Sequence, residues 1–435
     1  MKRTCMIPKS TLIDVVLFVF SIMAIFLVKT PIMLSVLVIS LSVLMLWKVR
    51  GNSYLMLLFG IILYINFSTV VSEILGIATA LGIETLSWQQ TIRNSSNWLD
   101  GAVSMTIMLA TLNVFINKNM LLNKVKNYNL EIKNNPIAFY IGYIFLWIIW
   151  LFFSYSAGGE NGNYISNTST LYEYCLVMCP VIWMYSNNEK SKKVLMVIYV
   201  IAYCSKSFFH GDRSSLIPMV LFLYFILFNN LDLKLRHVVL LAIIGILGSN
   251  VISIIRIFSY SNMNNLLSEY FFKYGASFLT SDTVSQSYYT SVVTQMTAND
   301  IGGGEVYFID FIGAILFGGS FKDGNVSNIV VKHYMNKYGG FFYSWPYFWF
   351  GYVGVFLFSA ILGFTLNKVY KKNSQYSNML KTVIVIFSFR WYLYTCFDFF
   401  RGVLFVSSIM YFAFYCVDNV TGGRQKTHVK NALKK

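Results

Sequence analysis

Charged side chains are scarce in this sequence. Asp, Glu, Lys and Arg make up 12% of its 435 residues, whereas 56% of the residues are hydrophobic and 18% are aromatic. A soluble globular domain cannot bury so much apolar surface, so the composition excludes that class. Apolar runs of about 20 residues recur along the chain, and each can cross a bilayer core roughly 30 Å thick. Long uncharged runs without strand alternation predict helices rather than a barrel.

These runs predict an all-α polytopic membrane protein with about twelve transmembrane helices. We place the spans at residues 11–28, 31–47, 54–75, 98–116, 137–153, 171–185, 194–209, 214–229, 238–258, 345–366, 380–397 and 402–417. The predicted domains follow from these positions. They are a bundle over residues 1–258, a long loop over 259–344, further spans over 345–417 and a basic tail over 418–435.

Acidic residues are also few, with 18 Asp and Glu against 34 Lys and Arg, which leaves a formal net charge of +16. Such an excess of positive charge is typical of proteins that bind nucleic acid, but most of the basic residues here fall at the termini and in every second loop. Lys and Arg in short loops favour the cytoplasmic side of a membrane. The charge pattern therefore predicts cytoplasmic termini, a long loop on the outer face, a lipid bilayer as environment and no nucleic-acid partner.

Metal-binding and nucleotide-binding motifs are missing. The chain has six Cys and four His, and most of the Cys lie within or beside predicted spans without metal-ligand spacing. The glycine run Gly302–Gly304 has neither the GK[ST] sequence nor the strand–helix frame of a phosphate loop. We predict no metal site and no cofactor.

The long loop has too many apolar residues for a disordered segment. Its apolar spacing predicts short amphipathic helices that fold over the mouth of the bundle, since long loops in compact proteins are usually functional. The run 306–317 is too short to span and predicts an interfacial or re-entrant helix. Tyrosines of the loop are candidates for stacking on sugar rings; they are Tyr288, Tyr289, Tyr334, Tyr338 and Tyr343.

One turn between two apolar runs concentrates ionisable residues. The stretch FFHGDRSSLIP contains His210, Asp212 and Arg213 at what we predict to be the outer membrane surface. Gly211 permits the turn, and Ser214 is expected to cap the helix that follows. The alternative is a solvated loop that carries only an Asp212–Arg213 ion pair.

Further arginines are predicted at the same membrane depth. Arg256 and Arg401 lie near ends of spans, and Arg390 lies inside one, with Asp398 as a local partner for Arg390 or Arg401. A charge inside a span costs several kcal/mol unless it faces a cavity or a partner, so it indicates function. Guanidinium groups bind phosphate oxygens in a bidentate fork. Arg213, Arg256, Arg390 and Arg401 therefore predict a site for a lipid-linked diphosphate, supported by His210 and Asp212.

Two stretches resemble the O-antigen polymerases (Wzy) and related oligosaccharide repeat-unit polymerases. The first is HGDRSSLIPMVLFLYF, with a G-x-R-[ST] turn that opens a helix. The second runs from GGSFKDG to FSAILGF and contains Gly318–Gly319, Asn336-x-Tyr338-Gly339 and Gly351-x-x-Gly354. Span number, the long outer loop and the outer arginines agree with the family. Lys332–His333 departs from it, because many relatives carry an acidic residue there.

The resemblance implies a GT-C-like glycosyltransferase of the bacterial inner membrane with its active site on the periplasmic side. It would transfer a growing glycan from undecaprenyl diphosphate onto the next lipid-linked repeat unit. A chain-length regulator protein would be a further partner. The alternatives are a lipid-linked oligosaccharide flippase, which should show two similar halves, and an O-antigen ligase, which shares the chemistry but has another acceptor.

A transfer to a sugar hydroxyl needs a base for the proton. His333 is the catalytic candidate, because it is the one His of the long loop and titrates near neutral pH. Four acidic residues of the loop compete with it for this role: Glu269, Asp282, Glu305 and Asp323.

Overall fold

A computed structural model describes residues 9–77, 87–116, 135–155, 168–210, 212–227, 240, 243, 280–318, 321–336 and 339–432 of the chain. These residues form helices and connecting turns, and the extended pairings among them are isolated bridges such as Tyr155 with Thr168. The structure thus confirms the all-helical character within the described part. Apart from residues 240 and 243, the predicted span 238–258 lies outside this part, as do residues 259–279 of the predicted loop.

The α-helices are numbered in chain order. They are α1 Lys9–Leu27, α2 Pro31–Lys48, α3 Ser53–Thr69, α4 Ser87–Arg93, α5 Asp100–Phe115, α6 Pro136–Phe152, α7 Thr170–Trp183, α8 Lys190–Phe209, α9 Arg213–Leu227, α10 Asp282–Asp300, α11 Phe308–Phe317, α12 Val326–His333, α13 Ser344–Lys371, α14 Gln375–Ile386, α15 Ser388–Leu393 and α16 Ser407–Ala432. Single turns of other geometry join some of them, and π-helices extend α3 over Val70–Ile74 and precede α16 over Asp398–Val406.

Within the described residues, five helical segments are long and apolar enough to cross a membrane. They are Pro31–Lys48, Ser53–Ile74, Ser96–Phe115, Ser344–Lys371 and Asp398–Thr421. Each overlaps a predicted span. Shorter apolar helices lie in four other predicted spans, at Leu12–Leu27, Pro136–Phe152, Thr170–Trp183 and Ser214–Leu227.

Side-chain caps explain where several helices begin. Asn52 accepts hydrogen bonds from the N–H groups of the first turn of α3, and Ser169 does the same for α7. Thr30 and Asn135 cap α2 and α6, each directly before a proline at the first helical position. Proline lacks an N–H that would be unsatisfied there, so cap and proline together define these starts.

The chain forms two compact units. The first contains Met1–Val125, Leu233–Lys371 and Arg390–Phe397, and the second contains Lys126–Asp232, Lys372–Phe389 and Asp398–Lys435. In the first unit, α5 packs against α1, α2 and α13, and α10 packs against α3, α5, α12 and α13. In the second unit, α7 is central and contacts α6, α9, α14 and α16.

Helix α10 differs from the short amphipathic helices predicted for the long loop. It is 19 residues long, and buried residues occur on all of its sides. Its hydroxyl side chains tolerate this burial because Thr290, Ser291, Thr294 and Thr297 donate to the carbonyl four residues earlier. A polar sequence therefore does not indicate a water-facing helix at this position.

Two predicted spans are interrupted. Helix α13 leaves helical geometry at Phe350 and Gly351, where Gly351 has a φ of 58°. The predicted span 380–397 is divided into α14 and α15, and Thr395 has a φ of 102°. The carbonyls of Tyr392 and Leu393 accept hydrogen bonds from the N–H groups of Phe342 and Gly340 instead of continuing the helix. A continuous helix over 380–397 was therefore the wrong expectation.

Candidate functional site

The HGDRSS turn connects α8 with α9 in the second unit. Asp212 holds both ends of the turn, because its N–H donates to the Ser207 carbonyl at 2.8 Å and its Oδ1 accepts from the Ser215 N–H at 3.2 Å. Ser214 was expected to cap α9, but Asp212 is the cap and Ser214 Oγ donates to it at 2.7 Å. Gly211 and the side chain of Arg213 lie outside the described part.

The Asp212 carboxylate does not face solvent as the solvated-loop alternative requires. Asp212 is only 4% exposed, and the Tyr155 hydroxyl lies 3.0 Å from its Oδ2 and 3.2 Å from Ser207 Oγ. Burial, reinforced by the nearby Asp212 charge, raises the pKa of Tyr155 well above its ordinary value. Tyr155 therefore stays a neutral hydrogen-bond donor to a buried carboxylate.

His210 lies against the tyrosine of this pair. Its ring stacks on the Tyr155 ring with centroids 4.0 Å apart and planes 14° apart. Burial and the positive charge of Lys206 lower the pKa of His210, and Asp212 opposes them in part. Lys206 in turn donates to the Trp150 carbonyl at 2.8 Å and lies 4.3 Å above the Trp150 ring. A neutral imidazole is favoured here at physiological pH.

Two tyrosines of α7 contact the end of α8 beside the HGDRSS turn and Arg401. The Tyr172 hydroxyl lies 3.2 Å from Ser207 Oγ, and its ring stacks on Tyr203 with centroids 4.2 Å apart. Two residues later, the Tyr174 hydroxyl accepts a hydrogen bond of 2.7 Å from Arg401 Nε. Arg401 is part of the π-helix that begins at Asp398, and π-helical turns occur often at functional sites. His210, Asp212, Asp398 and Arg401 thus lie on elements that meet α7.

Sequence reasoning missed the aromatic half of this cluster. Tyr155, Tyr172 and Tyr174 were read as parts of apolar spans or loops, although LYEY places two tyrosines and an acid in four residues at a helix start. That density of polar aromatic residues beside a serine cap was the available signal. The sequence around Tyr155 contains no such signal, because its partner Asp212 is far away in the sequence.

Arg390 and His333 belong to the first unit. Arg390 lies on α15 and is 8% exposed, just before the chain leaves helical geometry at Thr395. His333 is the last residue of α12 and is exposed. Arg256 lies outside the described residues. Of the predicted arginines in the second unit, Arg401 contacts α7, and Arg213 begins α9, which packs against α7.

The acidic competitors of His333 have different surroundings. Asp282 begins α10, and its Oδ1 accepts from the Thr283 N–H at 2.7 Å. Glu305 and Asp323 are exposed on single turns beside α11, and Glu269 lies outside the described part. The assignment of the base stays a prediction.

Most of the loop tyrosines cannot stack on a sugar. Tyr288, Tyr289 and Tyr343 are fully buried in the first unit, and the Tyr288 hydroxyl donates to the Trp98 carbonyl at 2.6 Å. Tyr334 is partly exposed and donates to Asp300 at 2.7 Å, a hydrogen bond that raises the pKa of Tyr334 to about 12. Tyr338 lies outside the described residues. Tyr334 is therefore the described member of this set that keeps an accessible ring.

Within the described residues, no cluster of three or more His, Cys, Asp or Glu side chains could hold a metal ion. Comparison of the chain with protein-family models, curated proteins and solved structures finds no match. The functional argument consequently depends on the residues of this chain.

Proposed function

We propose that the chain is a membrane glycosyltransferase of the O-antigen polymerase type. It has about twelve spans, a GT-C-like architecture, cytoplasmic termini and a long periplasmic loop over residues 259–344. It resides in a bacterial inner membrane and joins oligosaccharide repeat units that are linked to undecaprenyl diphosphate. A chain-length regulator protein is a further partner in this proposal.

One observation carries the proposal: α7 contacts both Arg401 and the end of α8 that holds the HGDRSS turn. The Tyr174 hydroxyl accepts from Arg401 Nε, while the Tyr172 hydroxyl lies 3.2 Å from Oγ of Ser207, the α8 residue whose carbonyl accepts from the Asp212 N–H. The Tyr174 hydroxyl fixes the orientation of one edge of the Arg401 guanidinium. A guanidinium oriented in this way suits a phosphate group, and in this proposal the phosphate belongs to a lipid-linked diphosphate.

The proposed reaction is a single displacement. A hydroxyl oxygen of the acceptor sugar attacks the anomeric carbon of the donor glycan, and the bond from that carbon to the diphosphate oxygen breaks. Undecaprenyl diphosphate leaves with the bonding electron pair, and the hydroxyl proton passes to a base. Cationic side chains that face the leaving diphosphate stabilise the charge that develops on it.

Four arginines are assigned to the diphosphate in this proposal: Arg213, Arg256, Arg390 and Arg401. Asp212 and His210 support the turn that presents Arg213, and Asp398 begins the π-helix that presents Arg401. His333 is the proposed base. Its exposure on α12 leaves the imidazole accessible to an acceptor sugar.

The test is a clean deletion strain whose lipopolysaccharide is separated on a gel. Loss of a polymerase leaves core with a single repeat unit, and the plasmid-borne gene restores the ladder. Loss of a ligase or of a flippase leaves core without any repeat unit, so that pattern would replace the proposal with one of those two functions. An unchanged ladder would remove the chain from this chemistry altogether.

A further inference from the structure

Helix α11, Phe308–Phe317, is apolar on both of its faces. Its sequence FIDFIGAILF contains one charged residue, Asp310. The inner face packs on α13 within the first unit, where Phe311 lies 4.3 Å and Phe308 lies 5.2 Å from the Trp349 ring, measured between centroids. Packing against α13 thus explains why the inner face of α11 is apolar, but it does not explain the apolar residues of the outer face.

The outer apolar face of α11 consists of Ile309, Ile312 and Leu316, spaced three or four residues apart, together with Val306 in the turn before the helix and Phe317 at its end. Ile309 is 77% exposed, Phe317 is 73% exposed and Val306 is 74% exposed. Single exposed apolar residues are ordinary, but a contiguous row indicates a surface that contacts an apolar partner. A helix that is hydrophobic all round is typical of a protein core or a membrane.

The length of α11 excludes a transmembrane orientation. Ten residues of α-helix measure about 15 Å, which is half of a hydrocarbon core of roughly 30 Å. Gly318, with a φ of 79°, ends the helix, and the polar turn Lys322–Gly324 follows. This turn is fixed against α11, because a Cβ on Gly324 would lie 2.3 Å from the Asp310 carbonyl oxygen. The helix can therefore lie along a membrane surface but cannot cross the membrane.

The neighbouring helix has a lipid-type surface of its own. Beyond Gly351, α13 is part of a segment long and apolar enough to span, and its exposed residues Val353, Leu357, Ile361 and Phe364 follow one side. Phe308 of α11 lies 6.1 Å from Phe358 of α13. Helix α11 therefore packs directly beside a helix that is itself suited to contact lipid.

We propose that α11 lies in the plane of the membrane interface, with its outer apolar face immersed among lipid acyl chains. This face contains no Trp, Tyr or Arg, the residue types in which protein–protein hot spots are enriched, and its composition therefore favours lipid over protein. Interfacial helices immerse their apolar face roughly 5–10 Å into the boundary of headgroups and acyl chains. This inference does not depend on the proposed enzymatic function.

Site-directed fluorescence quenching tests the proposal on the full chain in phosphatidylcholine nanodiscs. Ile309→Cys and Phe317→Cys are labelled separately with an environment-sensitive dye. Asp323→Cys is the aqueous control beside α11, and Ile361→Cys is the lipid control on α13. All variants also carry Cys416→Ser, which removes an exposed native thiol, and the chain without an added cysteine gives the background. Two test positions keep the experiment decisive if one variant fails to fold.

We expect the dyes at residues 309 and 317 to be quenched by nitroxide lipids and protected from aqueous iodide. A nitroxide high on the acyl chain should quench them several-fold more than one near the bilayer centre, with the opposite order at residue 361. Iodide quenching equal to that at residue 323 would overturn the proposal in favour of a water-exposed helix. Quenching by neither agent would overturn it in favour of a protein-covered surface, and stronger quenching from the bilayer centre would overturn the in-plane orientation.

Discussion

Removal of the Asp212 side chain should destabilise the second unit. Asp212→Ala deletes the N-cap of α9, a loss of about 1 kcal/mol. It also deletes the charge-assisted hydrogen bond from Tyr155, which is worth about 1.5–3 kcal/mol. Because both contacts are lost together at a buried position, we expect a total of about 3 kcal/mol. Asp212→Asn keeps an oxygen for the Ser215 N–H and should lose much less.

Thermal unfolding in detergent micelles measures this effect. Cys175 and Cys179 are buried on α7, so a thiol-reactive fluorescent dye reports the moment at which the second unit opens. The midpoint should fall by several degrees in Asp212→Ala, less in Tyr155→Phe and least in Asp212→Asn. A midpoint of Asp212→Ala equal to that of the wild type would refute the account of the turn as a buried, capped structure.

Four further changes test other parts of the account. Arg401→Ala should shorten the glycan ladder, because the loss of one charge-assisted contact lowers the transfer rate about tenfold or more. Tyr174→Phe should keep long chains. Equal ladders from Arg401→Ala and wild type at matched membrane abundance would exclude Arg401 from the diphosphate site. His333→Ala should abolish chain extension, and long chains at wild-type density would transfer the role of base to Asp282, Glu305 or Asp323. Gly354→Ala should lower the unfolding midpoint more than Gly351→Ala does. A Cβ on Gly354 would lie 2.0 Å from the Pro346 carbonyl oxygen, whereas a Cβ on Gly351 meets open space and costs only backbone strain of about 1–3 kcal/mol. The reverse order of the two midpoints would contradict the close approach of Gly354 to Pro346. Because the pKa of His210 is lowered in the folded chain, the unfolded chain binds a proton at a higher pH than the folded chain does. The free energy of unfolding should therefore fall as the pH drops through the ordinary histidine pKa of about 6.5, and His210→Phe should flatten that fall in the same dye assay. An unchanged pH profile in His210→Phe would contradict this role of His210.

The run lengths of apolar residues were enough to predict the helical membrane class. Pro31–Lys48 and Ser53–Ile74 match predicted spans closely, because hydrophobicity and caps such as Asn52 are local properties of the sequence. The breaks at Gly351 and Thr395 were not predictable in the same way. At Thr395 the helix ends because carbonyls nearby bind the N–H groups of Gly340 and Phe342, which are distant in the sequence.

The candidate site was predictable only as a set of charges. The density of ionisable residues in HGDRSS singled out His210 and Asp212 as supports of a diphosphate site, which stays a prediction; the structure places them against Tyr155. Their partners Tyr155 and Tyr172 come from other segments, and no pairing rule in a single sequence connects them. The opposite error affected Tyr288 and Tyr343, which were candidates for sugar stacking because they lie in the predicted long loop, although tertiary packing buries both residues.

Reconstitution of the purified chain tests the central claim most directly. The protein is placed in proteoliposomes with repeat units on undecaprenyl diphosphate, extracted from the deletion strain, and without nucleotide sugars or other proteins. The account predicts lipid-linked glycans that lengthen by whole repeat units, with one undecaprenyl diphosphate released for each new linkage and little extension by the Arg401→Ala protein. Repeat units that stay single, in vesicles where the wild-type chain is folded, would contradict it.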